Sequence, residues 1–333
     1  MRLNEKIKTV VNSLQGWDDV VNGQTSKILQ KCKTTAEAIV EADLDWEAIK
    51  RPISIETKKG NFSDCPDRFA LTRQDRLFHS PPIFGIVKKK YVPLQNKEAF
   101  SFFDGILSLK AATIAAAGSF DEGRIVYILA KLPGTIKVID KDISEKYLLL
   151  SNTHDGKQSV TIKFIPVRIV CTNQLTSTSL DGSTLRVIHS RGVQDRLTSA
   201  KNLLGLINTQ FDTIESNFKK MIKIKMSSKD VDLYMQKIYN PNAKRSDKNL
   251  ISATKPSFNN KGLESSKELW VAGKGNDIKG VSGTLWAAYN GVTEYIDHHT
   301  KQRTGEAMLK SIWTGAGDLI KRRAYNEAVK LLK

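Results

Sequence analysis

The chain has 333 residues, 40% of them apolar and 26% charged, which suits one large or two modest globular domains and excludes disorder over the whole length. Its 52 Lys and Arg against 35 Asp and Glu leave a net charge of +17, the balance of a protein whose partner is a polyanion. No stretch is apolar enough to cross a bilayer: Ile106–Ala117, the most apolar run, is broken by Ser108 and Lys110. Cys32, Cys65 and Cys171 are too widely spaced for a disulfide framework, and the first residues lack the apolar core of a signal peptide, so a reducing, cytoplasmic setting is expected.

Taken in chain order, Thr34–Ala42 predicts a helix opened by a capping box, with Thr34 as cap and Glu37 reaching back to it. Strand material follows at 52–56, 68–73 and 77–79, separated by turn residues. Residues 83–87 and 91–93 predict a hairpin with Lys88, Lys89 and Lys90 at its tip. Asn96 is the expected cap of an amphipathic helix over 96–107. Strands at 111–117, 124–132, 146–153 and 159–171 alternate with turn signals, as in an antiparallel meander. From Val193 to Met226 apolar residues return at helical spacing.

Residues 239–282 are rich in Asn, Ser, Gly and Lys and read as a long mobile segment with room for one short helix. The window 219–279 holds 14 basic and 6 acidic residues. Helical periodicity resumes over 282–298 and 304–332. The expected fold is therefore α+β, an antiparallel β meander with an inserted helix, packed by a helical C-terminal half. The expected divisions are an N-terminal helical segment (1–45), a β-rich core with a long helix (46–226), a basic mobile segment (227–282) and C-terminal helices (283–333).

Several stretches carry a family pattern. They are Leu44-Asp-Trp46, Gln95–Phe100, Ala117-Gly-Ser119 with Gly123-Arg124, Tyr147–Gly156, Pro166–Leu175 and Thr284–His298. In order and spacing they resemble the phage/plasmid-like protein family, whose domain has no assigned function. The resemblance implies a role in mobile-element DNA metabolism and a core similar to that of single-strand annealing proteins of the eukaryotic Rad and phage Red type. Three positions depart from the family pattern: Asp43 stands where a glycine is usual, and in Cys171-Thr-Asn-Gln-Leu175, against Cys-Asn/Gln-Asn-Thr-Leu, Thr172 and Gln174 differ.

The residues themselves offer little catalytic chemistry. No Walker A loop, nucleophile elbow or HExxH occurs. His154-Asp155-Gly156 reads first as a hairpin turn and only weakly as a metal site. Cys171 sits in an apolar run that raises a thiol pKa. His298-His299, Asp140/Asp142 and Asp230/Asp232 suggest metal ligands only weakly, and Gly273-Lys-Gly275 lacks the context of a nucleotide loop. Lys321-Arg-Arg323 reads as a solvated helix face.

The basic elements carry the stronger signal. Lys88, Lys89, Lys90, Arg124, Arg168, Asn173, Arg186, Arg191, Arg196, Lys219, Lys220 and Lys223 are the expected contacts to phosphate or base, with Phe78, Phe84 and Tyr91 as aromatics able to stack on unpaired bases. For Arg168 and Asn173 a structural role at a strand end is the stronger of two readings, and for the lysines after 218 the helix dipole competes. The expected function is a non-catalytic single-stranded DNA-binding and annealing protein of a phage or plasmid, without a cofactor and assembled as a ring or filament. The alternatives are a metal-dependent nucleic-acid enzyme and a host-interaction protein with an acidic protein partner.

Overall fold

A computed structural model of the protein describes residues 28–75, 82–156, 160–175, 179–180, 193–241, 260–301 and 304–333, with the backbone alone at 179–180 and 193–197. The fold is α+β, with antiparallel sheets and helices concentrated toward the C-terminus. Helix α1 (Thr35–Glu41) precedes a three-stranded sheet of β1 (Ala48–Lys58), β2 (Asn61–Arg73) and β3 (Gly85–Lys88), in the order β1-β2-β3. Next come α2 (Asn96–Phe100), a 3-10 turn (Ser101–Phe103) and α3 (Asp104–Ser108).

A second sheet holds β4 (Thr113–Phe120), β5 (Ile125–Ile139), β6 (Asp142–Thr153), β7 (Thr161–Arg168) and the two-residue β8 (Ser179–Leu180), paired in chain order. The remainder is helical: α4 (Val193–Met221), α5 (Ser228–Tyr239), α6 (Asn260–Ala272), α7 (Leu285–Glu294) with a π turn (Tyr295–His299), α8 (Gly305–Thr314) and α9 (Ala316–Lys330).

The backbone forms two compact units between which the chain alternates. The first holds residues up to Pro133, Tyr147–Lys163 and Ser179–Ile207; the second holds Gly134–Lys146, Phe164–Thr178 and Asn208 onward. Both differ from the expected consecutive divisions, because the boundary cuts β5, β6 and β7 and each unit takes its own share of those strands.

Three expectations are corrected. The hairpin over 83–93 does not form: β3 pairs antiparallel with β2, Arg68 opposite Lys88 and Leu71 opposite Gly85. Tyr91–Pro93 is coil, since Val92 is 82% exposed and Pro93 has no N–H to give a ladder. The meander expected over 111–171 is present as β4-β5-β6-β7, and the strands before it form a sheet of their own. The helix over 96–107 is broken into short pieces, because Phe100, Phe102, Phe103, Ile106 and Leu107 are all buried and no single α-helical face can hold them. The stretch expected to be mobile is ordered over 227–241 and 260–282; residues 242–259 and the strand expected at 77–79 lie outside the described residues. Ser227 and Asp230 close a full capping box on α5, and α6 is tied to it by Lys267–Asp232 at 2.7 Å and Tyr239–Ser266 at 2.6 Å. Composition hides such contacts.

Candidate nucleic-acid interface

In the first unit, the inner face of the three-stranded sheet rests on an aromatic cluster. Trp46, Phe84 and His154 lie ring to ring at 5.3–6.0 Å, all buried. His154 Nε2 lies 2.8 Å from Asn96 Oδ1, and Asn96 Nδ2 donates to Leu44 O. The amide oxygen only accepts, so Nε2 is the donor. Burial holds the His154 pKa down to about 4. Arg73 stacks over Trp46 at 4.5 Å while its guanidinium grips Asp75 and the Glu122 carbonyl. A Cβ on Gly123 (φ +114°) would lie 2.7 Å from Trp46, so that position takes only glycine. His154-Asp155-Gly156 is thus a structural turn: the Asp155 carbonyl passes so close to Gly85 that a Cβ there would lie 2.6 Å away.

On the outer face Arg68, Ile86 and Lys88 are exposed, whereas Ala70 and Thr72 are buried and Arg51 is half-buried with its Nη2 enclosed. Side chains alternate along a strand, and register partners share a face. Leu71 and Val87 point inward, whereas Ala70 lies between Arg51 and Ile86, and Arg68 lies opposite Lys88, all outward. Arg51 donates to Thr72 Oγ1, covering that small residue, and Ile86 is 52% exposed. Like charges directly opposite destabilise a pair of strands. Among the described residues no carboxylate makes an ion pair with Arg51, Arg68, Lys88, Lys89 or Lys90. Lys50 reaches across to donate to the Lys89 carbonyl, which brings a further cation to the end of β3. Over 48–73 and 85–90 there are nine Lys or Arg and three Asp or Glu, so the excess positive charge is local.

The other expected contacts are distributed differently. Arg124 is exposed in the same unit, its Nη2 3.4 Å from Ile83 O. Lys219, Lys220 and Lys223 are exposed in the second unit, with Lys219 bound to Glu215 at 2.6 Å. Arg196 lies in α4 where only the backbone is described, and Arg186, Arg191 and Phe78 lie outside the described residues. Phe84 is buried and Tyr91 half-buried. Phe84 is therefore removed from the stacking candidates by its place in the inner cluster.

Arg168 and Asn173 are also corrected. Arg168 is fully buried in the second unit, its Nε and Nη2 each 2.6 Å from Asp142, which also accepts Trp286 Nε1 at 2.7 Å. Its Nη1 donates to the Lys274 carbonyl. Every direction in which the guanidinium could meet a phosphate is filled by protein. Asn173 is likewise fully buried, its Nδ2 toward Asn290 O. Lys321, expected on a solvated face, is buried between Asp297 and the Gln174 carbonyl at 2.8 and 2.9 Å. These ion pairs tie the 168–175 loop to α7, its π turn and α9. Removing one partner of such a pair costs about 3–5 kcal/mol, so their role is to hold the second unit together. Cys171 lies beside Arg168, and burial pushes its thiol up to about 11, which leaves it inert.

Asp232 is taken by Lys267, Asp142 by Arg168, and Asp297 by Lys321. Among the described residues no group of three or more His, Cys, Asp or Glu could hold a metal ion, and no helix is long and apolar enough to cross a membrane. Sequence reasoning missed Arg51 and Arg68, because their neighbourhood with Lys88 depends on strand register. The turn at Gly60-Asn61 was read from the sequence, but not that both strands run out to it, β1 to Lys58 and β2 from Asn61.

The site is a basic sheet surface, exposed at Arg68, Ile86 and Lys88, backed by an aromatic inner layer. Residues 83–313 match the family described as Domain of unknown function (DUF932). The match covers well over half of the chain, which therefore belongs to that family. No curated protein and no solved structure matches the chain.

Proposed function

We propose that the protein binds single-stranded DNA through phosphate contacts on the outer face of the β1-β2-β3 sheet, and does so without catalysis. The observation that carries the reading is the cross-strand pair Arg68–Lys88, continued by Lys89 and Lys90 and left without a carboxylate partner among the described residues. An anion laid along this face relieves the repulsion between the two side chains. Arg68 offers bidentate hydrogen bonds to phosphate, while the lysines act as point charges. Contacts confined to phosphates leave base edges free, which is what annealing of complementary strands needs. We extend the reading to a role in recombination or replication of a phage or plasmid, in the host cytoplasm. Assembly into rings or filaments would align many such faces. The family resemblance motivates that extension, and it is fold-level analogy.

Fluorescence anisotropy with a labelled thymidine oligomer tests the proposal. The double variant Arg68→Glu/Lys88→Glu is expected to weaken binding at least about tenfold, since each lost phosphate contact also loses its released counterion. Its thermal melt should stay close to that of the parent protein, because both side chains are exposed. Unchanged affinity in the double variant, or no binding by the parent protein at low salt, overturns the proposal.

A further inference from the structure

The distal part of β1 and β2 stands apart from the first unit's core. From Ile53 to Arg68 nearly every residue is exposed, on both faces of the ribbon. A two-stranded ribbon with no layer behind it is marginally stable in water, so this arm gains from a partner. Its chemistry is specific. The tip runs Lys58-Lys59-Gly60-Asn61-Phe62, with Gly60 at φ +82° supplying the left-handed turn. Phe62 is 70% exposed, the most exposed aromatic ring among the described residues, and Ile55 is 56% exposed.

Two of the arm's three carboxylates are engaged internally: Glu56 Oε1 accepts the Gly60 N–H at 2.7 Å, and Asp64 accepts from Ser54 Oγ at 2.5 Å, while Asp67 is exposed beside Arg68. Lys58 and Lys59 make no ion pair among the described residues. Phe62 lies opposite Glu56 in the ribbon, whose carboxylate is turned to the Gly60 N–H, and Lys58 and Lys59 follow at the turn. An exposed aromatic ring with two unneutralised cations nearby, on an arm that needs covering, fits an unpaired nucleobase with its phosphate. The ring face takes the base and the ammonium groups take the flanking charges.

We infer that the tip of the β1–β2 ribbon is a base-stacking subsite in which Phe62 holds one unpaired base and Lys58 and Lys59 hold the adjoining phosphates. The inference rests on the proposed function and deepens it, since it makes the nucleic acid specifically single-stranded. From Arg51 to Lys58 the ribbon spans about 23 Å at roughly 3.3 Å per residue. Sheet face and tip lie along this one ribbon and are expected to bind one continuous strand.

The test compares a short thymidine oligomer with an abasic oligomer of equal length and charge. The parent protein should bind the thymidine oligomer about tenfold more tightly, the size of one stacking contact. Phe62→Ala should lose that preference and bind both oligomers as the parent binds the abasic one, whereas Phe62→Trp should keep it. Arg68→Glu/Lys88→Glu should weaken both oligomers alike and leave the preference intact. Equal binding of the two oligomers by the parent protein, or an undiminished preference in Phe62→Ala, overturns the stacking subsite while leaving the phosphate face standing. Failure of the parent protein to bind either oligomer overturns both. Circular dichroism confirms the fold of each variant.

Discussion

His154 shows how one side chain can invite a functional reading and serve a structural one. Its ring is 1% exposed, donates to Asn96 and is neutral well below the ordinary imidazole range, at about 4, because burial penalises the charged form. In the unfolded chain the ring titrates near 6.5. Between those values the unfolded state binds the proton and the folded state does not, so stability is complete above about pH 6.5 and falls as the pH drops toward 4. Relative to His154→Gln, the parent protein should lose about 2–3 kcal/mol between pH 7 and pH 4. Urea denaturation across that range checks it, and parallel curves for the two proteins would contradict it.

Backbone strain gives a second residue-scale expectation. Asp43 and Thr172, two of the three departures from the pattern the resemblance implies, both sit at left-handed φ, +57° and +55°. Glycine and asparagine are the residues that take that conformation most readily. Aspartate tolerates the conformation; a β-branched threonine does not. Thr172→Asn should therefore raise stability by about 1 kcal/mol, read as a higher midpoint in chemical denaturation; a lower midpoint would show that the Thr172 hydroxyl, 2.7 Å from the Cys171 carbonyl, matters more than the strain. These positions were legible as departures in the sequence, but their φ values were not.

At the scale of elements, local signals were read well where one short-range rule decides. The Thr34 cap on α1 is present, its hydroxyl accepting the Glu37 N–H at 3.1 Å. Its reciprocal partner is different, since Glu37 reaches the Lys33 N–H at 2.7 Å. Asn96, expected as a cap, instead spends its side chain on Leu44 and His154. Long-range pairing was the missing information. Nothing local announces that β3 pairs with β2, that Arg168 meets Asp142, or that the second unit buries Lys321. The charges that count for binding could therefore not be separated from those that count for folding.

The ribbon shows the same division between folding and binding. Its distal half contributes almost no buried side chain, so replacing 54–64 by a tight Asn-Gly turn should cost about 1 kcal/mol or less, as for surface changes remote from the core. The same change should reduce single-strand affinity. A large loss of stability would show that the arm belongs to the fold of the first unit.

For the whole molecule, the +17 charge is concentrated in function though not in position. Arg168 and Lys321 are neutralised inside the second unit, and Lys219 and Lys267 pair on its surface. The sheet face of the first unit keeps its cations unpaired among the described residues. Two of the twelve expected contact residues are thereby assigned to the core, and the sheet gains Arg51 and Arg68. The central claim is that this face neutralises the phosphates of a single strand. The most direct measurement is the salt dependence of oligomer affinity in the parent protein and in Arg68→Glu/Lys88→Glu. The parent should show a linear log–log decline, steeper by about 0.7 for each phosphate neutralised, and the variant a shallower one by roughly the two contacts it has lost. Equal slopes in the two proteins, or an affinity indifferent to salt, would contradict the account.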